Sequence, residues 1–368
     1  MTDTIKILSD LIALQSDTHD KIKNIANYIC NILNKHNILY QRIRHNENTA
    51  ESIIAGINIE KLSDINSGIL LSGHMDTVTT NAVLWTNPPF KATVSGNKIY
   101  GCGVVDMKYF IATVLELIPT MQGYKFPIIL AFTGDEETDV YGIKHICNFM
   151  QENNIKPQMA IVGEPTCSKI LVGHNGYCGH TTNIQGVAAH SSNINDGINS
   201  IYIASEIISH IKQLAEKYAV LGTTINVGTI SGGTQKNTVP DKTTFEWDVR
   251  FARPEHLNEI TQSVQEFINT ILNKYSGANI KTDTAEFIYA LMQNPDSKIA
   301  DIIYSATNAE KIVSPIATEA GFLQSYGIDT VVFGTGDTKL AHTVNENISM
   351  DSLFELKNIL GKILNNIV

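Results

Sequence analysis

Acids and histidines gather at five places in this chain, each where an apolar run or a glycine-rich turn ends. The first is Leu70-Leu71-Ser72-Gly73-His74-Met75-Asp76-Thr77-Val78. Residues two apart on an extended chain point to the same side, so His74 and Asp76 can face one site. Tyr100-Gly101-Cys102-Gly103-Val104-Val105-Asp106-Met107-Lys108 sets a single aspartate among glycines, ahead of a helical pattern. Phe132-Thr133-Gly134-Asp135-Glu136-Glu137-Thr138 packs three acids behind an apolar run. Ile161-Val162-Gly163-Glu164-Pro165-Thr166 and Gly334-Thr335-Gly336-Asp337, which leads to Ala341-His342-Thr343, complete the set.

Taken singly, each segment has an ordinary explanation. A His-x-Asp run is usually surface polarity, and acids such as Asp135, Glu136 and Glu137 favour the positive end of a helix. Gly334-Thr335-Gly336 is a turn, with no helix-initiating phosphate loop behind it. Brought together, these carboxylates would repel one another and rise in pKa unless a cation neutralised them. Two histidines with several carboxylates, and no thiolate, form a nitrogen and oxygen donor set that suits zinc, cobalt or manganese.

The elements that must position these groups can be read from hydrophobic period. Ser52–Ile57, Gly68–Ser72, Ile128–Thr133 and Met159–Val162 read as strands, while Ile111–Ile118 and Gly142–Met150 read as helices. Strands alternating with helices predict an α/β domain around a largely parallel sheet, whose ligands sit at the carboxyl ends of the strands. From about Lys169 the texture changes. Ile170–Val172, Gly179–Gln185, Thr223–Ile230 and Thr244–Arg250 read as strands, several with period-two alternation, and Ser200–Tyr218 and Glu255–Tyr275 as helices. That is the pattern of a small antiparallel α+β domain. After about Ala285 come helix, a strand at Thr330–Phe333 and a last helix at Ser349–Ile367. The expected organisation is one domain built from residues 1–168 and 285–368, interrupted by an inserted domain at 169–284.

Bulk properties limit the function classes. At 368 residues, 43% hydrophobic and 17% charged, the chain is globular and long enough for two cores. A net charge of −10 with no long basic run excludes a nucleic-acid partner as the natural reading. No apolar stretch approaches the roughly 20 residues that span a bilayer. The start of the chain carries acids where a secretory signal needs a basic region, and Ile5, Leu8, Leu11, Ile12 and Leu14 suit an amphipathic helix instead. Five scattered cysteines without a CxxC pair fit reduced thiols in a cytoplasm.

In order and spacing, the five segments resemble those of the M20 family of metallopeptidases over nearly the whole chain. The resemblance implies a zinc-peptidase-like catalytic domain with a mixed, largely parallel sheet, plus an inserted α+β lid that also forms a homodimer. It implies two zinc ions per subunit, with cobalt able to substitute. His74 and Glu164 would hold the first, Glu137 and His342 the second, and Asp106 would bridge them. Asp76 would back His74, and Glu136 would be the general base. It also implies a cis peptide after Asp106. Tyr109 departs from the glycine that many members carry there and would alter the wall beside the metals.

In the inserted domain, Gly186-Val187-Ala188-Ala189-His190-Ser191 resembles the family motif whose histidine reaches the substrate carbonyl across a dimer. Asn237 and Arg250 resemble lid residues that bind a substrate carboxylate. Taken without the family, His190 is a turn or cap residue and Arg250 an exposed strand arginine. Within the family, Ala317-Thr318-Glu319-Ala320-Gly321 is similar to the branch that deacetylates N-acetyl-L-ornithine in arginine biosynthesis, and Glu319 would meet the cationic side chain or serve only the fold. The alternatives on the same machinery are succinyl-diaminopimelate desuccinylation and dipeptide or carboxypeptidase cleavage. A small N-acyl amino acid is thus the expected substrate.

Overall fold

The computed structural model describes residues 3–45, 49–138 and 140–367. The chain divides into two compact units: Met1–Gly173 with Gln293–Val313 and Thr318–Val368, and His174–Met292 with Ser314–Ala317. The change of texture read from the sequence at 168/169 and 284/285 falls a little before these borders. The strand Asn279–Ile288 runs through the second, because its residues alternate too weakly for its end to be legible.

The first unit is α/β, organised by an eight-stranded mixed sheet. Its order is Leu39–Arg44, Glu51–Ile57, Ile128–Thr133, Ile69–His74, Met159–Val162, Asp329–Val332, Ile170–His174 and Lys311–Ser314. The four strands from Ile128–Thr133 to Asp329–Val332 are parallel, with Ile69 opposite both Ile128 and Met159, and Met159 opposite Asp329. Their carboxyl ends therefore share one edge. Ile69–His74 and Ile128–Thr133 are buried at every position, as continuous apolar runs covered on both faces should be. Ile53, Ala55, Ile69, Leu71, Leu130 and Phe132 share one core with helices Asp3–Ala13, His19–Lys35, Tyr109–Met121 and Met350–Asn365. Helices Tyr141–Glu152 and Ala320–Ser325 pack on each other beside Glu51–Ile57 and Asp329–Val332.

The second unit is a four-stranded antiparallel sheet, ordered Thr224–Gly232, Lys242–Phe251, Gly176–Gln185 and Asn279–Ile288. Strand Lys242–Phe251 buries Thr243, Phe245, Trp247, Val249 and Phe251, so period two aims one face at the core. That face is covered by helices Ser200–Ala219 and Pro254–Lys274, which bring Ile203, Ile207, Ile260, Val264 and Ile268 to it. Asn199 starts the first helix by accepting from the N–H groups of Ile201 and Tyr202. Among the described residues no helix is long and apolar enough to cross a membrane.

Candidate metal centre

The shared edge of the parallel strands is where the acids and histidines meet. His74 ends its strand in register with Thr133, and the Met75 N–H bonds the Thr133 carbonyl at 2.7 Å. Past Thr133 the chain turns through Asp135, left-handed at φ 65°, into Glu136 and Glu137. Glu164 follows strand Met159–Val162. Asp106 lies in the turn before helix Tyr109–Met121, and the Asp106–Met107 peptide is cis.

Two clusters result, and they share Asp106. His74 Nε2 lies 3.0 Å from Asp106 Oδ1 and 3.6 Å from Glu164 Oε1. His342 Nε2 lies 3.2 Å from Asp106 Oδ2 and 3.0 Å from Glu137 Oε1. Each oxygen of one carboxylate thus faces a different imidazole. Within each cluster the potential donor atoms lie within 4.8 Å of one another. His74 and Glu164 are buried, whereas the His342 side chain is half exposed.

The tautomer of His74 follows from its other nitrogen. Nδ1 is 3.0 Å from the main-chain carbonyl of Asp76, which can only accept, so Nδ1 carries the hydrogen and Nε2 turns its lone pair inward. The family resemblance implies only that Asp76 backs His74, and its carboxylate is the other group that could do so. That group lies farther away, at 3.7 Å, and its other oxygen accepts the Glu137 N–H at 2.9 Å. Asp76 therefore orients His74 through its backbone and Glu137 through its side chain. Among the described residues its buried Oδ1 has no hydrogen-bond partner, and burial pushes the carboxyl up to about 6.

The charges show what would suit the cluster. Burial, then the neighbouring Asp106, push Glu164 well above the usual carboxylate range. Burial does the same to half-buried Glu136, which also feels Glu137, Asp76 and Asp106. Burial opposes the Asp106 anion too, but His342 and His74 hold its pKa below normal. His342 is raised to about 10 by its bonds to Asp106 and Glu137. Without cations, protons must balance these charges; divalent ions would take their place on deprotonated ligands. Two imidazole nitrogens and three carboxylates, without thiolate, fit two such ions.

Several side chains that the sequence left without a role brace this edge. The Asp135 carboxylate is bonded by His19 Nδ1 at 2.6 Å and His45 Nδ1 at 2.9 Å, which pins the turn carrying Glu136 and Glu137. Lys108 is buried and donates to the carbonyls of Leu11 and Leu14, capping the first helix; burial lowers its pKa to about 8. Tyr109 is also buried. Its hydroxyl accepts from the Gly336 N–H at 3.3 Å, and a Cβ on Gly334 would come within 2.0 Å of that oxygen, so here the tyrosine demands a glycine opposite. Glu319 needs correcting as a substrate contact. It is 1% exposed, and its two oxygens accept from Ser72 Oγ and Thr133 Oγ1 beneath the strand ends.

In the second unit, strand Ala189–His190 pairs with Thr238–Val239, and the Ser191 N–H bonds the Asn237 carbonyl at 3.0 Å. His190 is exposed, with Nδ1 2.8 Å from Ser192 Oγ. Arg250 lies elsewhere, opposite Tyr177, its guanidinium 5.2 Å from that ring. From Lys242, near the Asn237 turn, to Arg250 the strand spans about 26 Å at about 3.3 Å per residue. One chain therefore groups His190 with Asn237 and separates both from Arg250.

The family model for peptidase family M20/M25/M40 matches residues 70–366, a span that holds all five clustered residues. The chain belongs to this family. It is a hydrolase of the M20 kind, with two candidate metal clusters that share one aspartate. An acetylornithine deacetylase of Buchnera aphidicola is 33% identical over 311 residues, covering 82% of this M20 chain and 81% of that protein. A tripeptidase from Staphylococcus aureus has a similar structure, with TM-score 0.81, 21% identity and 98% and 97% of the two chains covered. A dinuclear metal-binding M20 peptidase from Bacillus subtilis gives TM-score 0.72 at 16% identity, covering 98% and 96%. At such identities the two structures speak for the M20 fold.

Proposed function

We propose that the protein is a dinuclear metal hydrolase that removes the acetyl group from N-acetyl-L-ornithine. The observation that carries the hydrolytic part is Asp106, whose two oxygens face two separate imidazole and carboxylate clusters. His74, Asp106 and Glu164 would hold one ion, and Asp106, Glu137 and His342 the other; zinc suits these donors, and cobalt can substitute. Bound there, two divalent cations would supply Lewis acidity, polarising the amide carbonyl and making water a stronger acid at neutral pH.

Glu136 is a further carboxylate of the group, next in sequence to Glu137 and in the field of Asp106. It takes the proton of the attacking water and delivers it to the amide nitrogen as the C–N bond breaks, leaving acetate and a free amine. His190 would donate to the developing oxyanion, while Asn237 and Arg250 bind the substrate around it. Because Arg250 lies far along the sheet from the other two, a single site would take Arg250 from one protomer and His190 and Asn237 from its partner. A homodimer has a surface to use: Thr224–Gly232 is an exposed edge strand, with Ile230 at 55% and nearby Tyr202 at 64% exposure. The acetylornithine reading rests on the deacetylase relative and on the Ala317–Gly321 run. A place in the cytoplasm, in arginine biosynthesis, goes with it.

A panel of N-acetylornithine, N-succinyl-diaminopimelate and simple dipeptides, assayed before and after chelation, tests both parts. N-acetylornithine should give the highest kcat/KM, and activity should vanish without metal and return with zinc or cobalt. Preference for the succinylated substrate or a dipeptide would move the substrate assignment to that branch. Full activity in a verified metal-free sample would remove the mechanism.

A further inference from the structure

Glu346 carries no role in the proposed chemistry, yet its side chain is buried, at 3% exposure, beside the turn that bears Asp106. Oε1 accepts from the N–H groups of Val105 at 2.7 Å and Asp106 at 3.0 Å, and Oε2 from Gly103 at 2.7 Å. The Glu346 main-chain carbonyl also accepts from the Gly101 N–H at 3.1 Å. The next residues, Asn347–Ser349, pair antiparallel with Lys98–Tyr100. One short segment thus docks along the whole approach to Asp106.

The turn needs such a partner. Gly103 is left-handed at φ 74°, with Thr77 packed where a side chain would begin, and Asp106 lies outside helical geometry at φ −127° and ψ 89°. Three of its N–H groups point to this carboxylate, and a backbone N–H shut away from water without an acceptor is costly. A carboxylate offers only acceptors, whereas an amide in its place would turn N–H against N–H at one oxygen position.

We infer that Glu346 is the positioning residue for the bridging aspartate, fixing the Asp106 backbone so that one carboxylate oxygen faces each metal cluster. The segment also ties the two halves of the second cluster together, since it begins four residues after His342. Displacing the Asp106 backbone moves both oxygens at once, so the loss falls on both metal sites together. Groups that orient ligands in this way typically change metal affinity by about 10–100-fold when they are replaced.

The inference rests on the dinuclear reading above, and its test separates the two. Metal-free protein is titrated with Co2+, following heat of binding and the visible absorption that reports cobalt geometry, with the melting temperature of the metal-free form measured alongside. Wild type should bind two ions. Glu346→Gln should bind both at least tenfold more weakly, with an altered cobalt spectrum. Glu346→Asp, which keeps the charge but shortens its reach, should move the same way and serves if the Gln variant does not fold. Ile303→Val, a core change in helix Lys298–Thr307 that carries none of the clustered residues, supplies the control for a simple loss of stability. Unchanged affinity and spectrum in the Glu346 variants overturn the inference, as does a loss confined to one ion or no larger than in the control. A wild-type chain that binds no cobalt overturns the dinuclear reading itself.

Discussion

The two units hold their candidate functional residues in opposite ways. In the first, His74, Asp106, Glu137 and Glu164 lie at the ends of strands and turns that are mostly buried, and neighbouring backbone and side chains orient them. In the second, His190 and Asn237 sit beside a short two-stranded pair and Arg250 at an exposed position of a central strand. A site assembled within one unit needs like charges held close against their repulsion, and only a rigid, multiply braced edge can do that. Residues that meet a substrate from outside need reach instead, and their exposure leaves them free of such constraint.

The sharpest way to break this contrast is within the first unit. Glu136→Gln should lower kcat by about 10²–10⁴ while both ions remain bound, because it removes a proton carrier and no ligand. Glu137→Gln should instead lower metal occupancy at one site, read by elemental analysis. Equal metal loss in both variants would show that the pair is assigned the wrong way round.

A somewhat smaller effect is expected in the second unit. His190→Ala should cost about 10²–10³ in kcat, the usual loss of one oxyanion donor, with metal content unchanged. If His190 acts across a dimer, mixing it with the Glu136→Gln protein should restore activity. A mixed dimer places both defects in one site and leaves the other whole, recovering up to about half of wild-type activity. Subunit exchange without recovery would confine His190 to its own chain.

The smallest effect concerns stability. His180 is buried against Trp247, at 4.2 Å between ring centroids, and burial lowers its pKa to about 4. The folded state resists protonation that the unfolded chain accepts near pH 6.5, so stability from this neutral histidine is present above that pH. It is lost as pH falls from about 6.5 towards about 4, by up to about 3 kcal/mol. His180→Gln should flatten this stretch of the pH dependence of unfolding, monitored by fluorescence. An unchanged slope would mean that His180 titrates normally.

How legible these features were depended on how local they are. Ile128–Thr133 and Met159–Val162 could be read to their exact ends, since fully apolar runs bounded by polar turns have few other uses. Leu39–Arg44, with the polar pattern of an edge strand, carries no such signal. Asp76 lies two residues from His74 on an extended run, but whether its backbone or its carboxylate meets the ring depends on a local turn that residue type does not encode. For Glu319 the sequence leaves two uses open, a contact to a cationic substrate side chain or a part in the fold alone. Packing put it under Ser72 and Thr133.

The sequence by itself determined the inventory: a thiolate-free set of histidines and carboxylates, spaced so that each follows a strand or glycine turn, and two textures of secondary structure. Those are properties of residue type and period, which survive without knowing what touches what. Only the tertiary structure decided which oxygen of Asp106 faces which imidazole, and that Asp135, Lys108 and Glu346 brace the strand edge. These contacts join residues from about 90 to more than 200 positions apart. A hydrogen bond of that kind exists only once the packed core has brought its two ends within about 3 Å, and no local pattern records it.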